Sequence, residues 1–574
     1  MDFSQQVIPS PPSAPSVELD ALVHSLQCPV WFANLLWMRG YGTPEQAQQF
    51  LDAPQDSWQN PWLLKGMENA VQVLLDFRNK NQTLCVFGDY DLDGISGTAL
   101  LCLALKRAGG WNVTYRLPSR FGDGYGLSIA QVNLLHQSGV QCLVLVDTGI
   151  TALAEIAHAR KLGMTVVVVD HHRPSGDGLP VAHAILDPWQ PDCQYPNKDL
   201  SAVGVALKLV WALYERLDLG GADAYLDLVA LGTLSDMMPL GPENRQILRR
   251  ALARMYRSEF PGVRVLCADA VDSSGYLGSQ DILFRIAPLM NAPGRLESPD
   301  IALEMLLSPS ETEAKRTLEQ LRTANEKRRG IEAELTSQAM RQAQEIVQQS
   351  RVLVVTGEKW HLGVLGIVAS KLTQQYGRPS AVVSIQPDGN AMGSVRGVEG
   401  FNWHQALSDA HELFDRWGGH QNAAGFSLPA SRLGVMRERF ERSAVGQGYA
   451  PGEARPTLEC HVEARLCQMN QDAMEWLRRL EPCGRGNPPP IFLARNVQLP
   501  SGVREVRGGH LQFEAMQSEG VRYATVGFGL GHAAEWLRHQ DSIDMTFVPS
   551  WNSYRGRRIL QLQVKNIAKA QGNP

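Results

Sequence analysis

The sequence lacks any apolar run of about 18 residues, so it predicts no membrane-spanning helix. Residues 1–20 lack both a basic start and an apolar stretch, and we do not expect them to act as a signal peptide. Proline and serine are frequent there, which predicts a disordered lead-in. The nine cysteines include no CxxC pair, a pattern typical of free thiols in a reducing cytoplasm.

The chain also lacks a strong excess of either charge, with a formal net charge of −5 over 574 residues. This balance gives no sign of a nucleic-acid-binding protein, but it leaves room for a local basic groove. Residues 551–574 carry five basic side chains and no acidic one. The length is too great for one hydrophobic core, so we expect three or more domains.

Residues 80–190 alternate strand-like and helix-like patterns. The predicted strands are 83–88, 142–147, 165–170 and 183–187, and the predicted helical segments are 95–108, 128–138 and 152–162. This alternation predicts an α/β domain whose parallel sheet is covered by helices. Ligands of such sheets bind at the carboxyl ends of the strands.

Acidic and histidine side chains follow three of these strands. They are Asp89, Asp91 and Asp93 after the first strand, Asp147 at the end of the second, and Asp170, His171 and His172 after the third. We expect them to lie along one edge of the sheet, and Asp236, after a helical run at 226–234, is a candidate to join them. Carboxylates this close repel one another, and divalent cations resolve that conflict. The pattern predicts a metal site that acts on phosphate, with ligands enough for two ions about 3.5–4 Å apart.

Each motif alone has another interpretation. Residues 89–94 could form an Asx-rich turn or a calcium loop, but the twelfth loop position is Leu100 where an EF-hand has glutamate. Residues 147–149 spell Asp-Thr-Gly, which also occurs in aspartic proteases, although the surroundings here are parallel α/β. A lone histidine at a strand end is usually structural. An Asp-His-His triplet opposite other carboxylates favours a metal site, and its nitrogen ligands favour Mn²⁺ over Mg²⁺.

Beyond residue 300 the patterns change. Residues 311–349 contain no proline and only one glycine, Gly330, and they predict a long connecting helix. A second mixed α/β region follows at 351–445. Strand-like segments at 510–515, 523–528, 543–548 and 559–564 predict a small β-barrel.

As a set, these motifs resemble the DHH family of phosphoesterases. Residues 89–94, 146–149, 170–172 and 232–236 resemble, in order, the four motifs of its catalytic domain. Residues 360–370, 393–397 and 418–425 resemble the DHH-associated domain. Residues 117–126 and 291–296 are similar to the branch of the family formed by bacterial single-strand-specific exonucleases.

Patterns and resemblance together predict a multidomain α/β protein. The expected parts are a partly disordered lead-in at 1–45, a DHH catalytic domain at 46–250, a connector with a long helix at 251–349, a DHH-associated domain at 350–450 and an OB-fold-like nucleic-acid-binding domain at 455–574.

The resemblance implies roles for the acidic cluster. The implied metal ligands are Asp89, Asp91, Asp93, Asp147, His171 and Asp236, which would hold two ions of Mn²⁺ or Mg²⁺. Asp147 would bridge the ions, and Asp89 is either a ligand or an outer-shell acceptor. His172 would orient the attacking water or contact the scissile phosphate. Asp170 would lie behind the site and hold a histidine tautomer.

The resemblance also implies substrate contacts in three places. Arg120, Arg295, Ser394 and Arg396 match positions that grip a terminal 5′ phosphate, and His361 and His420 would line the cleft between the lobes. In the last hairpin-like stretch, the candidates for binding a single strand are Trp551, Tyr554, Arg555, Arg557 and Arg558. A solvated turn is an equally good interpretation of that stretch.

The implied activity is a 5′→3′ exonuclease that releases mononucleotides from single-stranded DNA, in repair and recombination. The alternatives are a DHH-family phosphodiesterase of oligoribonucleotides or cyclic dinucleotides, and a non-catalytic DNA-binding scaffold. Small-substrate members lack the additional barrel, and scaffold members lack metal ligands. We expect a cytoplasmic monomer, with a helicase and a single-strand-binding protein as candidate partners.

Overall fold

The computed structural model describes residues 8–52, 58–120, 126–271, 276–450, 460–554 and 557–570. The side chains of 553, 554 and 557 are outside this description. The strands form three sheets of five, five and seven members. Within the described ranges, no helix combines the length and apolar character needed to cross a membrane.

A parallel sheet forms the centre of the first unit. Its strands are β1 (Thr83–Gly88), β2 (Asn112–Arg116), β3 (Val140–Val146), β4 (Thr165–Val169) and β5 (Ala184–Leu186), in the order β2-β1-β3-β4-β5. Every neighbouring pair is parallel. The predicted α/β sheet is confirmed. The edge strand β2 was not predicted, because its residues are mostly exposed and give no apolar signal.

The helices precede, cover and extend this sheet. They are α1 (Ser16–Leu26), α2 (Val30–Met38), α3 (Pro44–Asp52), α4 (Met67–Phe77), α5 (Leu92–Ala108), α6 (Ile129–Gln137), α7 (Leu153–Lys161), α8 (Ala202–Arg216), α9 (Leu226–Ser235), α10 (Pro242–Arg254), α11 (Pro261–Ala270), α12 (Ser279–Asp281), α13 (Ala287–Met290), α14 (Ala292–Leu296) and α15 (Asp300–Leu307). A π-helical turn at Ile282–Ile286 separates α12 from α13. Helix α5 is buried along most of its length against α8 and α9, so the start of α5 is fixed in position.

The N-terminal segment corrects one prediction. Residues 16–52 are largely helical, and Leu22, Phe32 and Leu36 are fully buried among apolar residues of the C-terminal sheet. Trp31 lies edge-on to Phe492 of that sheet, with ring centroids 5.4 Å apart. In the lead-in expected to be partly disordered at 1–45, residues 16–45 are therefore largely helical, and their apolar residues are covered by strands more than 400 positions away. Residues 1–7 lie outside the described ranges.

A single long helix joins the first unit to the second. Helix α16 (Glu311–Ile346) has 36 residues, and the Ser310 hydroxyl caps it by accepting a hydrogen bond from the Glu313 N–H. This confirms the predicted connector helix, which ends three residues before the predicted bound. The N-terminal half of α16 packs on α11 and α14, and its apolar residues Leu335 and Ala339 pack in the core of the second unit.

The second unit is a mixed sheet with helices. Its strands are β6 (Leu353–Glu358), β7 (Ser380–Ile385), β8 (Asn390–Arg396), β9 (Arg416–His420) and β10 (Ala423–Pro429), in the order β6-β7-β8-β10-β9. Its helices are α17 (Leu365–Tyr376), α18 (Trp403–Ser408) and α19 (Leu433–Gly446). Only β6 and β7 run parallel, and the remaining pairs of this sheet are antiparallel.

The C-terminal unit is a seven-stranded sheet that curls on itself. Its elements are β11 (Val462–Glu463), α20 (Gln471–Arg478), β12 (Phe492–Gln498), β13 (Arg504–Val506), β14 (His510–Met516), β15 (Arg522–Gly527), α21 (Ala534–Leu537), β16 (Ser542–Tyr554) and β17 (Arg557–Lys569). The order is β11-β12-β16-β17-β15-β14-β13, and the pair Gln498–Met516 also links β12 to β14. Five strands therefore pair in a closed ring, as an OB-like barrel requires.

Arg245 joins the N-terminal helices and the C-terminal unit to the first unit. It lies on α10 and is only 3% exposed. Its guanidinium donates to the carbonyl oxygen of Phe50 at 3.2 Å, of Leu480 at 2.9 Å and of Pro482 at 3.2 Å. One cation thus holds the N-terminal helices and the C-terminal unit against the first unit, because its buried charge is satisfied by their carbonyls.

Candidate metal centre and phosphate pocket

The first group of carboxylates lies between β1 and α5. Asp89 follows the strand, and Asp91 is the N-cap of the helix. The Asp91 carboxylate accepts hydrogen bonds from the N–H of Asp93 at 3.0 Å and of Gly94 at 3.2 Å. Burial raises the pKa of Asp89 to about 8, and the charge of Asp91 acts in the same direction. A strand end and a helix cap therefore hold two acids side by side.

Asp93 is held by a second helix. It is fully buried, and its carboxylate accepts from the N–H of Ala202 at 2.7 Å and of Val203 at 3.0 Å, at the N-terminus of α8. Helix N-termini favour anions, which fixes this carboxylate in place. Burial nevertheless raises its pKa well above the usual value, and the charges of Asp236 and Asp91 add to that effect.

The backbone conformation of Asp147 directs its side chain into the cluster. It follows β3, it has φ of 62°, and its N–H donates to the Val169 carbonyl at 3.0 Å. Asp is among the few non-glycine residues that tolerate this left-handed conformation. Its Oδ1 is buried and has no hydrogen-bond partner within the described ranges. Burial, then the charges of Asp91 and Asp93, raise its pKa well above the usual value.

Asp170 organises the two histidines. Its Oδ1 accepts from the His171 N–H at 2.8 Å and lies 2.8 Å from His172 Nδ1, and its Oδ2 accepts from the Ile150 N–H at 3.0 Å. Burial acts to raise the pKa of Asp170, but the hydrogen bond and charge of His172 outweigh it and lower the pKa to about 2. Asp170 thus stays ionised, and the ring that it orients is His172.

His171 is the meeting point of the cluster. Its Nε2 lies 3.2 Å from Asp147 Oδ1, 3.7 Å from Asp236 Oδ2 and 3.8 Å from Asp93 Oδ2. Burial lowers the pKa of His171 to about 4, so the ring is neutral at pH 7, the form that binds metals. Four elements therefore meet at one imidazole nitrogen. Asp147 follows β3, His171 follows β4, Asp93 lies at the start of α5, and Asp236 follows α9.

Asp236 closes the cluster on its more open side. It follows α9, and its side chain is 34% exposed. Burial raises the pKa of Asp236 to about 7, and the charge of Asp91 adds to this. The positive charges of His172 and Arg485 act in the opposite direction. Asp236 is therefore an acid between the buried cluster and solvent.

The donor set fits divalent cations. Three groups place one ligand atom per residue within 4.8 Å of one another: Asp89, Asp91 and Asp147; Asp93, His171 and Asp236; Asp147, His171 and His172. Asp89 Oδ1 and Asp147 Oδ1 are buried without a hydrogen-bond partner in the described structure. Unpartnered, mutually repelling carboxylates are costly to bury, and Mg²⁺ or Mn²⁺ would satisfy them. The cluster has the composition of a two-ion site.

Arginines from both units gather beside these acids. The Arg120 guanidinium lies 4.4 Å from the centre of the Tyr90 ring. Arg396 donates to Ser394 Oγ at 3.3 Å and to the Val395 carbonyl at 2.7 Å. Burial lowers the pKa of Arg295 to about 10, and the charge of Arg120 acts in the same direction. These partly buried like charges are a candidate site for an anion such as phosphate.

Two glycines allow the units to approach this closely. A Cβ on Gly363 would lie 1.8 Å from the Arg295 carbonyl oxygen, and a Cβ on Gly366 would lie 2.7 Å from an Arg396 nitrogen. Any larger residue would therefore separate the second unit from α14 or displace the arginine. The candidate phosphate pocket depends on these two positions having no side chain.

The remaining candidates lie in different places. His361 accepts from the Gly363 N–H at 3.2 Å and caps the turn Leu362–Val364. His420 is exposed at the end of β9. Ala423 of β10 pairs with His420 on one side and with Arg396 of β8 on the other, so His420 and Arg396 lie at the same level of the sheet, two strands apart. Trp551 is half-buried, with the Arg558 guanidinium 3.9 Å from its ring centre. Arg555 and the side chains of Tyr554 and Arg557 lie outside the described residues.

Sequence reasoning missed four residues near the site. Asp187 follows β5, it is fully buried, and burial raises its pKa to about 8. The strand-end rule applied to 183–187 could have found it. Tyr90, which stacks with Arg120, stands inside a recognised motif. No sequence signal identifies Arg328, whose charge acts on Arg295 from the long helix, or Arg485, whose charge acts on Asp236.

Comparison with known proteins decides the family. The single-stranded-DNA-specific exonuclease RecJ of Escherichia coli is 32% identical over 529 residues, which span 88% of this chain and 91% of that protein. The chain belongs to the RecJ family. RecJ of Bacillus subtilis is 31% identical over 96% of this chain and 70% of its own length. Family models match the DHH family N-terminal domain at residues 83–233, the DHHA1 domain at 349–446 and the RecJ OB domain at 460–566.

Solved RecJ structures share the whole architecture. The crystal structure of Thermus thermophilus RecJ in complex with Mn²⁺ superposes with a TM-score of 0.80 at 28% identity, covering 100% of this chain and 80% of that one. The corresponding Mg²⁺ complex gives a TM-score of 0.74 at 27% identity, covering 100% and 79%. The DHH resemblance and the OB-like C-terminal unit expected from the sequence are thereby confirmed.

Proposed function

We propose that this protein is a metal-dependent exonuclease that degrades single-stranded DNA from its 5′ end and releases 5′-mononucleotides. The observation that carries the proposal is the convergence of five aspartates and His171 beside a partly buried group of arginines. The RecJ relatives, named single-stranded-DNA-specific exonucleases, support the same activity. Exonucleolytic cleavage needs both parts, one for the scissile linkage and one for the end of the strand.

The acids and His171 would hold two ions of Mn²⁺ or Mg²⁺. Asp89 and Asp91 belong to one ligand group and Asp93, His171 and Asp236 to another, while Asp147 is close to both and is the candidate bridge. When bound, two such ions neutralise the phosphodiester and supply a water of lowered pKa as the nucleophile. The protein contributes fixed ligands, because a helix cap, a helix N-terminus and a left-handed turn hold the carboxylates.

His172 would position the reacting groups without binding covalently. Asp170 holds its Nδ1 at 2.8 Å, which fixes the plane of the ring. The opposite ring nitrogen is the atom assigned to the attacking water or to a phosphate oxygen. Among the described residues around the cluster no serine or cysteine is poised as a nucleophile, so attack by water is the proposed route.

The arginine pocket would make the enzyme an exonuclease. Arg120, Arg295, Arg396 and Ser394 offer several donors to a terminal phosphate, which carries more charge than an internal linkage. Placing that terminus in the pocket brings the first linkage over the acids, and one mononucleotide is released per cycle. His361 and His420 would line the approach to this pocket.

The C-terminal unit would bind the rest of the strand. An OB-like barrel binds single strands through basic grooves and stacked aromatic rings, and Trp551 under Arg558 is a candidate platform. We infer a cytoplasmic, monomeric protein that works in repair and recombination. A helicase that supplies single strands and a single-strand-binding protein are the proposed partners.

A substrate panel tests the function. Single-stranded DNA labelled at its 5′ end, the same sequence as a blunt duplex, a dinucleotide and an oligoribonucleotide are incubated with Mn²⁺ or with a chelator. We expect mononucleotide release from the DNA single strand only, and none with the chelator. Equal rates on duplex ends refute strand specificity. Preference for the dinucleotide or the RNA supports the phosphodiesterase alternative, and binding without turnover supports a scaffold.

A further inference from the structure

Arg485 lies on a rigid turn of the C-terminal unit next to the metal centre. The N–H and carbonyl groups of Gly484 and Asn487 pair at 2.9 and 3.0 Å, which leaves Arg485 and Gly486 as a two-residue turn. The Asn487 amide donates to the carbonyls of Leu480 and Pro482 at 2.8 and 2.7 Å. Its Oδ1 accepts from Arg39 at 2.6 Å. The turn is therefore held by backbone pairs and a buried amide, and not by the arginine side chain.

This turn is docked on the segment that follows Asp236. The Leu240 N–H, four residues after Asp236, donates to the Arg485 carbonyl at 2.9 Å. Gly484 packs against the same segment, since a Cβ there would lie 3.1 Å from Leu240 Cδ1. The Arg485 side chain is exposed, and within the described ranges it makes no hydrogen bond or ion pair. The turn also contacts the chain just before Asp236, since a Cβ on Gly484 would lie 3.9 Å from Leu234 Cδ2.

The residues around the cluster have an order. Arg120 stacks on Tyr90, and a Cβ on Gly294 would lie 3.0 Å from the Tyr90 carbonyl oxygen, so the arginine pocket lies at the loop between β1 and α5. Asp89 and Asp91 of that loop belong to one ligand group, whereas Asp236, just before the segment that contacts the Arg485 turn, belongs to another. If the 5′ terminus occupies the arginine pocket, the strand passes over the acids and leaves past Asp236. An unpaired cation there meets the next backbone phosphate.

We propose that Arg485 binds the phosphate on the 3′ side of the scissile linkage, so that the C-terminal unit contributes a substrate-binding residue to the catalytic centre. This inference rests on the proposed function, because it assumes that the 5′ terminus occupies the arginine pocket. Arg485 would hold the second linkage while the first is cut. It would thereby couple the grip of the C-terminal unit on the strand to cleavage.

The experiment removes either partner of this contact. Full-length wild type and Arg485→Ala are compared on 5′-phosphorylated single strands that carry either a normal or a neutral methylphosphonate second linkage. A charge-assisted hydrogen bond predicts that the neutral linkage lowers kcat/KM of the wild type by about tenfold, mainly through KM. Arg485→Ala should show the same loss on normal DNA and no further loss on the neutral linkage. Arg485→Lys should recover most of the activity, because it keeps the charge.

The matched control is Arg216→Ala. Helix α8 starts beside Asp93 and Arg216 ends it, so this arginine lies about 20 Å from the centre at 1.5 Å per residue. We expect its kinetics and its response to the neutral linkage to equal those of the wild type. Arg485→Ala and Arg216→Ala should both keep the wild-type melting temperature.

Distinct outcomes separate the two hypotheses. If the wild type degrades single strands but loses nothing with the neutral linkage, or if Arg485→Ala remains sensitive to that linkage, the Arg485 contact is refuted and the proposed function stands. If the wild type degrades no single strand with Mn²⁺, the proposed function fails and this inference fails with it.

Discussion

At the scale of single residues, a different local backbone structure holds each carboxylate of the metal centre in place. Asp91 caps a helix, Asp93 accepts hydrogen bonds from the start of another helix, and Asp147 adopts a left-handed conformation. Each of these local structures fixes one carboxylate at a position where the other carboxylates of the cluster repel it. The repulsion is a cost in the absence of metal, and it is the source of affinity for divalent ions.

Asp147→Ala tests the central position of this cluster. Cleavage of single-stranded DNA should fall at least about 100-fold, because loss of an outer-shell partner alone costs 10–100-fold at metal sites. Binding of DNA should stay measurable, since the arginines remain. Addition of Mn²⁺ should raise the melting temperature of the wild type and change that of the variant much less.

Asp192→Ala is the matched control. Asp192 also has φ of 62°, but it is exposed and lies outside the cluster. Both substitutions place alanine in the same unfavourable conformation, at a cost of about 1 kcal/mol. Asp192→Ala should keep full activity and the response to Mn²⁺. Full turnover by Asp147→Ala would rule out a bridging role.

Arg396→Ala tests the phosphate pocket. The kcat/KM ratio between 5′-phosphorylated and 5′-hydroxyl strands should fall by about 10- to 100-fold, because a hydrogen bond to a charged group contributes about 1.5–3 kcal/mol. The control is Arg416→Ala on β9, which is exposed and lies at the opposite end of β10 from Arg396. An unchanged preference for phosphorylated ends in Arg396→Ala contradicts the pocket.

At the scale of elements, α16 spans both lobes as one helix. Its 36 residues correspond to about 54 Å at 1.5 Å per residue. Gly330 lies near its middle, where an added Cβ would meet no atom within 4 Å. Nothing in the packing therefore requires glycine there, although glycine weakens a helix.

Gly330→Ala should stabilise the protein by about 0.5–1 kcal/mol, measured as the free energy of unfolding in urea, without changing exonuclease activity. Gly434→Ala in α19 is the control, since its added Cβ is equally unobstructed and α19 joins no units. A stabilised Gly330→Ala that loses activity, beside an active Gly434→Ala, would show that α16 must bend during the cycle.

At the scale of the whole molecule, parts distant in sequence complete one another. The N-terminal helices share a hydrophobic core with the C-terminal sheet, and Arg245 ties both to the catalytic unit. The turn that carries Arg485 begins just beyond this contact. The contact of that turn with the segment after Asp236 therefore depends on Arg245.

Arg245→Leu should lower the free energy of unfolding by about 2–4 kcal/mol, because several buried carbonyls lose their donor. Arg250→Leu on the same helix is the control: Arg250 is 44% exposed, and its ion pair with Asp223 should contribute about 1 kcal/mol or less. Thermal unfolding monitored by tryptophan fluorescence measures both. Equal stability of the two variants would contradict the role of Arg245 as a tie between units.

The sequence by itself determined which side chains form the metal site and which strands and helices carry them. Apolar runs followed by acids predicted the strands, and the rule that ligands bind at strand ends placed Asp89, Asp147 and His171 together. That rule works because parallel strands all end at the same edge. Helix α16 was predictable because helix formers with one glycine leave few other conformations.

Only the tertiary structure decided which distant residues complete the site. The helices in residues 16–52 were missed because their apolar side chains are covered by the C-terminal sheet, which no local pattern reveals. Arg328, Arg485 and the tie at Arg245 were missed for the same reason: a charged side chain looks alike in sequence whether it faces water, carbonyls or a substrate. Local propensity sets the elements, whereas long-range packing sets their neighbours.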